Sequence, residues 1–138
     1  PEVINMTKRQ CGLDVVQIYQ EGFEIDSAIE GEVWFGIRVK DESSLEAMAR
    51  TKADAYLLDA YDPKAYGGTG EKFNWNIAYK ASRQAKIVLA GGLGTSNVEE
   101  AIKTADPYAV DVSSGVETDG VKDADKIKKF IEIVRSVK

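Results

Sequence analysis

Short runs of apolar and β-branched residues recur along the chain, and segments with helical periodicity separate most of them. Five such runs predict buried strands, at residues 13–18, 33–39, 55–58, 87–90 and 108–112. Each run has the length and composition of a strand that is covered on both faces. Strands that alternate with helices form parallel βαβ units with right-handed crossovers, so the pattern predicts an α/β fold.

Caps and periodicity predict where the helices lie. Residues 43–46 (Ser-Ser-Leu-Glu) and 96–99 (Ser-Asn-Val-Glu) have the spacing of capping boxes that open helices. Residues 124–137 carry apolar positions at i, i+3, i+4 and i+7, which is typical of an amphipathic helix. Residues 1–10 predict a short helix before the first strand. The connection between residues 20 and 33 is close to the minimum for a helical crossover, so we expect a short helix or an irregular loop.

Composition narrows the classes of function. The 138 residues are 43% apolar, which is enough for the core of one domain spanning residues 1–138. The net charge of −5 and the pI near 4.8 argue against a nucleic-acid partner or an anionic membrane surface. No apolar stretch approaches the roughly 20 residues of a membrane span. The first residues lack a signal-peptide core, and we expect a soluble, cytoplasmic protein.

Histidine is absent and Cys11 is the single cysteine. The composition therefore excludes an intrachain disulfide and a cysteine metal cluster. It also excludes the side chain that most often acts as a general base. Cys11 precedes a predicted strand rather than following one, so we interpret it as an inert, partly buried thiol. Carboxylates, lysines, tyrosines and Cys11 itself are the groups left for proton transfer.

Functional side chains are expected after the carboxyl ends of the strands, where parallel sheets bind their ligands. Asp59 stands at such a position, and an apolar environment would suit it to act as a general acid. The alternative is that Asp59 only caps the following loop. The glycine-rich stretch Tyr66-Gly67-Gly68-Thr69-Gly70 comes next, and it is compatible with a binding loop or with a simple turn.

Small residues follow the last two predicted strands. Gly91-Gly92 ends one run, and Asp111-Val112-Ser113-Ser114-Gly115 ends the next. Taken singly, these residues fit tight turns and caps. On neighbouring strand ends, however, their backbone N–H groups and hydroxyls would form a cradle for a phosphate. Many (β/α)8 barrels bind phosphate after their last two strands.

In their order along the chain, these motifs resemble those of phosphoribosylanthranilate isomerase. The resemblance covers residues 12–138. The matching stretches are Gly12-Leu13-Asp14-Val15-Val16-Gln17, Ile37-Arg38-Val39, Tyr56-Leu57-Leu58-Asp59, Tyr66-Gly67-Gly68-Thr69-Gly70 with Phe73 and Trp75, Leu89-Ala90-Gly91-Gly92-Leu93 with Asn97-Val98, and Asp111-Val112-Ser113-Ser114-Gly115-Val116-Glu117 with Gly120-Val121-Lys122-Asp123. The last two are the most specific. The resemblance implies a (β/α)8 barrel, of which this chain would hold strands four to eight.

The resemblance also implies the chemistry, an Amadori rearrangement of N-(5-phosphoribosyl)anthranilate in tryptophan biosynthesis. Asp59 matches the family's general acid, which protonates the ribose ring oxygen as the ring opens. The loops after the family's seventh and eighth strands bind the substrate phosphate, and their counterparts here are Gly91, Gly92, Asp111, Ser113 and Ser114. The family uses no metal and no organic cofactor.

Four departures from the family pattern bear on activity. The family's general base is a cysteine in a Lys-Ile-Cys-Gly motif on the first strand, and a second-strand arginine region holds the anthranilate carboxylate; the 138 residues contain neither. Cys11-Gly12 aligns ahead of the fourth strand and does not replace the first motif. The fourth strand's Gln-Leu-His-Gly is Gln17-Ile18-Tyr19-Gln20, which loses a histidine near the substrate. Phe73-Asn74-Trp75 replaces Phe-Asp-Trp.

A closed eight-stranded barrel needs about 200 residues or more, so these strands are not expected to close one alone. Two unpaired edges and an apolar interior face favour association with a complementary N-terminal fragment or with a second copy. A flatter sheet with helices on both faces is the alternative. We expect an isomerase that is complete only with the missing strands, and no turnover by the chain alone. The competing hypothesis is a non-catalytic or engineered barrel fragment that keeps a phosphate site and self-associates.

Overall fold

The computed structural model describes residues 1–19, 25, 27–60 and 74–137. The described elements are listed here in chain order. They are α1 (Glu2–Cys11), β1 (Val15–Ile18), β2 (Glu32–Val39), a 3-10 turn (Glu42–Leu45), α2 (Glu46–Arg50), β3 (Ala55–Ala60), α3 (Trp75–Ser82), β4 (Ile87–Leu89), α4 (Val98–Ala105), β5 (Ala109–Val110), a second 3-10 turn (Ser114–Val116), β6 (Glu117–Thr118), β7 (Val121–Lys122) and α5 (Ala124–Ser136).

The first five strands form one parallel sheet in the order β1-β2-β3-β4-β5. Each strand pairs with the next one along the chain, the order expected when right-handed crossovers place the connecting helices on one face. This arrangement confirms the predicted α/β fold with five parallel strands. Within the described residues the strand order never reverses, and a reversal is what the flatter sheet with helices on both faces would need.

Alternate strand residues pack on opposite faces of the sheet, and both faces are apolar. One face, called here the helix face, packs strand residues such as Ile37, Leu58 and Leu89 against α3, α4 and α5. The opposite face buries Ala55, Leu57, Val88 and Ala90, with Trp34 and Ala109 beside them. The uninterrupted apolar runs of the sequence are explained by burial on both faces.

The strands at the two edges of the sheet are shorter than the sequence predicts. β1 begins at Val15 rather than at residue 13, and β5 is limited to Ala109–Val110. The flanking Leu13 and Tyr108 are 51% and 63% exposed. Outer strands pair on one side only among the described residues, so fewer ladder hydrogen bonds hold their ends. The central strand β3 instead extends two residues beyond the predicted end, to Ala60.

The capping box expected at residues 43–46 forms two residues earlier. Asp41 is the N-cap of the first 3-10 turn, and its carboxylate accepts from the Ser43 N–H at 2.9 Å. The Ser44 hydroxyl accepts in return from the Asp41 N–H at 3.4 Å. The reciprocal pair is therefore Asp and Ser three positions apart, rather than Ser and Glu. The predicted helix follows as α2 (Glu46–Arg50).

The C-terminal helix α5 ends at Ser136, one residue before the predicted end. Its N-cap is Asp123, whose carboxylate accepts from the Lys126 N–H at 3.1 Å and from the Thr118 hydroxyl at 2.6 Å. These hydrogen bonds, the Thr118 bond first, lower the pKa of the Asp123 carboxyl. Phe130 is buried as predicted. Ile131, predicted on the same apolar face, is 42% exposed, and Ile133 packs on the core instead.

Helix α1, predicted over residues 1–10, is attached to the chain ahead of β2 by two buried polar side chains. The Asn5 amide donates to the Ala28 carbonyl at 2.7 Å and accepts from the Glu30 N–H at 2.9 Å. The Lys8 ammonium donates to the carbonyls of Asp14 at 2.9 Å and Glu30 at 2.5 Å. The helix ends at Cys11, which is exposed rather than partly buried.

The described part of the connection before β2, residue 25 and residues 27–31, forms turns, bends and irregular backbone rather than a helix. Its other residues, 20–24 and 26, lie outside the described residues, so the prediction for that crossover is tested only in part. No helix in the described part of the chain is long and apolar enough to cross a membrane.

Candidate functional site

The predicted site residues lie along one edge of the sheet, where the strands end. Asp59 is the penultimate residue of β3, and Gly91 and Gly92 follow β4. Asp111 follows β5 directly, and its N–H donates to the Leu89 carbonyl of β4 at 2.8 Å. Because parallel strands all end on the same side of their sheet, the acid candidate and the phosphate-loop candidates lie on three neighbouring strands.

Arg38 of β2 shares this edge with Asp59. The two residues are register partners on adjacent strands. Because side chains alternate along a strand, Arg38 and Asp59 lie on the opposite face of the sheet, the same face as Trp34 and Leu57. Neighbouring strands are about 4.8 Å apart, so the backbone positions of a cationic and an anionic residue are adjacent here. In the sequence, Arg38 is marked only by its position, as a charged residue next to the last position of an apolar run.

Tyr19 comes directly after β1 and completes the row. A Cβ added at Gly36 would collide with the Tyr19 ring, which shows that the ring lies directly over Gly36 on the opposite face. Burial, followed by the negative charges of Asp59 and Asp111, raises the pKa of the Tyr19 phenol to about 12, while the positive charge of Arg38 acts to lower it. These four side chains therefore interact electrostatically across the carboxyl ends of the sheet.

The loop after β4 is built on glycine backbone and fixed by an asparagine. Gly91 and Gly92 have φ angles of 83° and 64°, a region that side chains other than glycine's rarely adopt. The Asn97 side chain accepts from the Gly94 N–H at 2.8 Å and donates to the Gly92 carbonyl at 2.9 Å. The predicted capping box would make Ser96 the N-cap of α4; in the structure the N-cap is instead Asn97, and its side chain makes no capping hydrogen bond to the helix.

The loop after β5 packs directly against the loop after β4. Ser113 and Ser114 are exposed, and Ser114 begins the second 3-10 turn. A Cβ at Gly115 would clash with the Leu93 carbonyl oxygen, so only glycine allows this approach between the two loops. The two predicted halves of the phosphate cradle are therefore in contact.

Lys122 supplies a cation beside the second loop. Its ammonium donates to the Ser113 carbonyl at 2.9 Å, to the Ser113 hydroxyl at 3.2 Å and to the Glu117 carboxylate at 2.6 Å. Lys122 lies on β7, which forms a two-stranded hairpin with β6. Lys122 belongs to a motif that matches the family, but its role does not follow from the sequence, because the hairpin that returns it to Ser113 was not predicted.

The structure thus brings together Asp59, Gly91, Gly92, Asp111, Ser113 and Ser114, and adds Tyr19, Arg38, Asn97 and Lys122 to them. The glycine-rich stretch of residues 66–70 lies outside the described residues. Cys11 lies ahead of β1, at the other end of that strand from Tyr19. In the described ranges no group of three or more Cys, Asp or Glu side chains is placed to hold a metal ion.

Comparison with known proteins gives one family. A family model described as N-(5'phosphoribosyl)anthranilate (PRA) isomerase matches residues 2–133. A curated N-(5'-phosphoribosyl)anthranilate isomerase from Pelobacter propionicus is 49% identical over 138 residues, which covers 99% of this chain and 66% of the relative. The chain therefore spans just under two thirds of that relative's length.

Solved structures agree with the sequence comparison. The phosphoribosyl anthranilate isomerase of Thermotoga maritima superposes with a TM-score of 0.82 at 37% identity, covering 98% of this chain and 68% of that one. A phosphoribosyl anthranilate isomerase in complex with reduced 1-(o-carboxyphenylamino)-1-deoxyribulose 5-phosphate gives 0.78 at 33% identity, covering 98% and 66%. Generated monomers of the dimeric T. maritima isomerase give 0.77 at 29% identity, covering 98% and 67%.

Proposed function

The chain belongs to the N-(5'-phosphoribosyl)anthranilate isomerase family, and from that premise we propose that it acts in the isomerisation of N-(5'-phosphoribosyl)anthranilate. The observation that carries the proposal is the order of groups along the sheet edge. Asp59 lies on β3, and the two interlocked small-residue loops follow β4 and β5. An acid beside a phosphate cradle suits a phosphorylated sugar that must be opened.

In the proposed reaction the phosphate binds first to the loops of Gly91, Gly92, Asp111, Ser113 and Ser114. Exposed serine hydroxyls, loop N–H groups and the Lys122 ammonium favour an anion there. Asp59 then donates a proton to the ribose ring oxygen while the C1–O bond breaks. The nitrogen lone pair forms a C1=N bond as the ring opens, and a base then removes the C2 proton to give an enolamine. Loss of the C2 hydroxyl proton and protonation of C1 yield the amino-ketose without net oxidation or reduction.

We place the general base outside these 138 residues. The resemblance assigns that role to a cysteine in a Lys-Ile-Cys-Gly motif, which this sequence does not contain. The matched relative is half as long again as the aligned part, since 66% of it is covered. Turnover therefore requires the further strands, whether they belong to the same protein or to a second polypeptide.

A second candidate function is phosphate or phosphoribosyl binding without turnover, in a fragment that associates with copies of itself. The observation that favours it is that both phosphate loops come from this chain and contact each other directly. Their assembly needs no residue from elsewhere. Association in the cytoplasm through the outer strands β1 and β5 completes this hypothesis.

Reconstitution separates the two candidates. The segment that carries the first strands in the P. propionicus relative is supplied with this chain, and growth of a tryptophan-requiring strain and isomerase turnover are measured. We expect turnover only with the added segment, and a loss of about 10²–10⁴-fold in Asp59→Asn because the general acid is removed.

The matched control is Asp106→Asn. Asp106 ends α4 with a φ of 46°, a conformation that asparagine tolerates, and it lies ahead of β5 rather than after it. We expect its turnover to equal that of the unmodified chain. Unchanged turnover in Asp59→Asn would exclude Asp59 as the acid. Tight binding of the reduced ribulose 5-phosphate analogue with no turnover after reconstitution would favour the second candidate.

A further inference from the structure

We propose that Tyr19, lying over Gly36, is a substrate-binding residue that hydrogen-bonds a sugar hydroxyl of a phosphorylated pentose between Asp59 and the phosphate loops. The inference rests on the proposed function and deepens it, because it assigns the sugar portion of the ligand to a side chain that differs from the family's usual histidine. Neither the family pattern nor the sequence analysis gives this tyrosine a role.

The first support is the position of the ring. Tyr19 follows β1, yet its ring crosses the neighbouring strand β2 and occupies the space that a side chain at Gly36 would fill. Gly36 lies between Trp34 and Arg38 on the opposite face of the sheet. The missing side chain therefore lets the phenol extend from the edge strand toward the strand that carries Asp59.

The second support is what surrounds the hydroxyl. The charges of Asp59 and Asp111 both act on the phenol; Asp59 lies near the end of β3 and Asp111 follows β5, on either side of the loop after β4. Asp59 is the proposed acid at the ring oxygen, and Asp111 belongs to a proposed phosphate loop. The part of a phosphorylated pentose that joins those two ends is the carbon chain with its hydroxyls.

The third support is the chemistry of the group. Tyr19 is 47% exposed as a residue, so part of the side chain lies at the surface although the ring packs over Gly36. A phenol hydroxyl both donates and accepts, as pairing with a sugar hydroxyl requires. Because its pKa is about 12, the group stays neutral near pH 7 and does not repel an anionic ligand. Neutral hydrogen bonds of this kind contribute modestly to binding.

The test compares two probes on the full 138-residue chain. Inorganic phosphate and ribose 5-phosphate are titrated by calorimetry into the unmodified chain, Tyr19→Phe and the control Tyr108→Phe. Tyr108 lies ahead of β5, where the Lys86 ammonium is 5.1 Å from the centroid of the Tyr108 ring. We expect Tyr19→Phe to lose about fivefold in affinity for ribose 5-phosphate, the effect of one neutral hydrogen bond, with phosphate affinity unchanged.

A second variant, Gly36→Ala, displaces the ring without removing the hydroxyl. We expect a similar loss for ribose 5-phosphate, and no additional loss in the double variant with Tyr19→Phe. Equal affinities for ribose 5-phosphate in Tyr19→Phe and the unmodified chain would overturn the inference, as would an equal loss for both probes. If the unmodified chain did not bind phosphate, the proposed phosphate site and this inference would both be overturned. If it bound phosphate and Tyr19→Phe did not weaken ribose 5-phosphate binding, only this inference would be overturned.

Discussion

At the scale of single residues, the charges around the Tyr19 phenol predict that two substitutions shift its pKa in opposite directions. The Asp59 carboxylate raises the pKa of the phenol and the Arg38 guanidinium lowers it. Asp59→Asn should therefore lower that pKa from about 12 toward its ordinary value of 10.0, and Arg38→Gln should raise it. Tyrosinate absorbance or NMR of labelled tyrosine measures both pKa shifts. Asp106→Asn is the control, and we expect it to leave the pKa of the Tyr19 phenol unchanged. A shift of the same sign in both variants would contradict the arrangement of Tyr19, Arg38 and Asp59.

The contact between the two phosphate loops depends on a single residue that has no side chain. In Gly115→Ala the new methyl group meets the Leu93 carbonyl oxygen, and the loops must separate. We expect a loss of about 1–3 kcal/mol in the free energy of unfolding, typical of overpacking, together with weaker phosphate binding. Urea unfolding and phosphate titration measure the two effects.

Gly94→Ala is the control for that substitution. A Cβ at Gly94 would lie 3.4 Å from the Gly115 carbonyl oxygen, which is close to ordinary contact. We expect its stability and phosphate affinity to stay near those of the unmodified chain. If Gly94→Ala and Gly115→Ala lost stability and phosphate affinity equally, the cause would be a general intolerance of added volume in these loops and not the specific contact at Gly115.

At this scale the sequence predicts residues whose position relative to a strand end is their signal. Asp59, Gly91, Gly92 and Asp111 are of this kind, and the structure brings them to one edge. The residues that sequence reasoning missed act across strands. Arg38 becomes a neighbour of Asp59 only through the β2–β3 register, and Tyr19 reaches the site only because residue 36 is glycine.

Helix α1 gives the prediction at the scale of elements. Asn5 is 8% exposed and makes both of its hydrogen bonds to backbone just ahead of β2. Asn5→Ala leaves the Glu30 N–H and the Ala28 carbonyl without these partners, so we expect a loss of about 1–3 kcal/mol in the free energy of unfolding. Thermal or urea unfolding measures it.

Thr7→Ala is the control on the same helix, because among the described residues the Thr7 hydroxyl donates to the Val3 carbonyl of α1 and not to the chain ahead of β2. We expect a change within about 0.5 kcal/mol, as for other surface substitutions. If the Thr7 variant lost as much stability as the Asn5 variant, helix formation rather than docking onto the sheet would be the cause.

Elements buried on both faces are predictable from sequence, while those fixed by reciprocal hydrogen bonds are harder to place. All five strands appear where the apolar runs predict them, because burial demands apolar side chains. The cap at Asp41 was missed because two overlapping pairs of polar residues, at 41 and 44 and at 43 and 46, have the same three-residue spacing. The β6–β7 hairpin was missed although Asp119-Gly120 is a strong turn signal, and both residues have positive φ angles of 52° and 77°.

At the scale of the whole molecule, β1 and β5 are the outer strands of the described sheet, and each pairs on one side only. Outer strands with free N–H and C=O groups favour pairing with another chain. The matched isomerases have barrels half as long again as the aligned part. An additional set of strands would therefore have two places at which to join this sheet.

We expect the purified chain to form dimers or larger assemblies rather than a 15.1 kDa monomer. Sedimentation or light scattering over a range of concentrations measures the mass. Adding the segment that carries the first strands of the P. propionicus relative should convert the assembly into a one-to-one complex, because the segment competes for the same strand edges. High salt should not dissociate the homo-oligomer, since backbone pairing and apolar burial are weakly screened compared with surface charges. A 15.1 kDa monomer at every concentration would contradict association through β1 and β5.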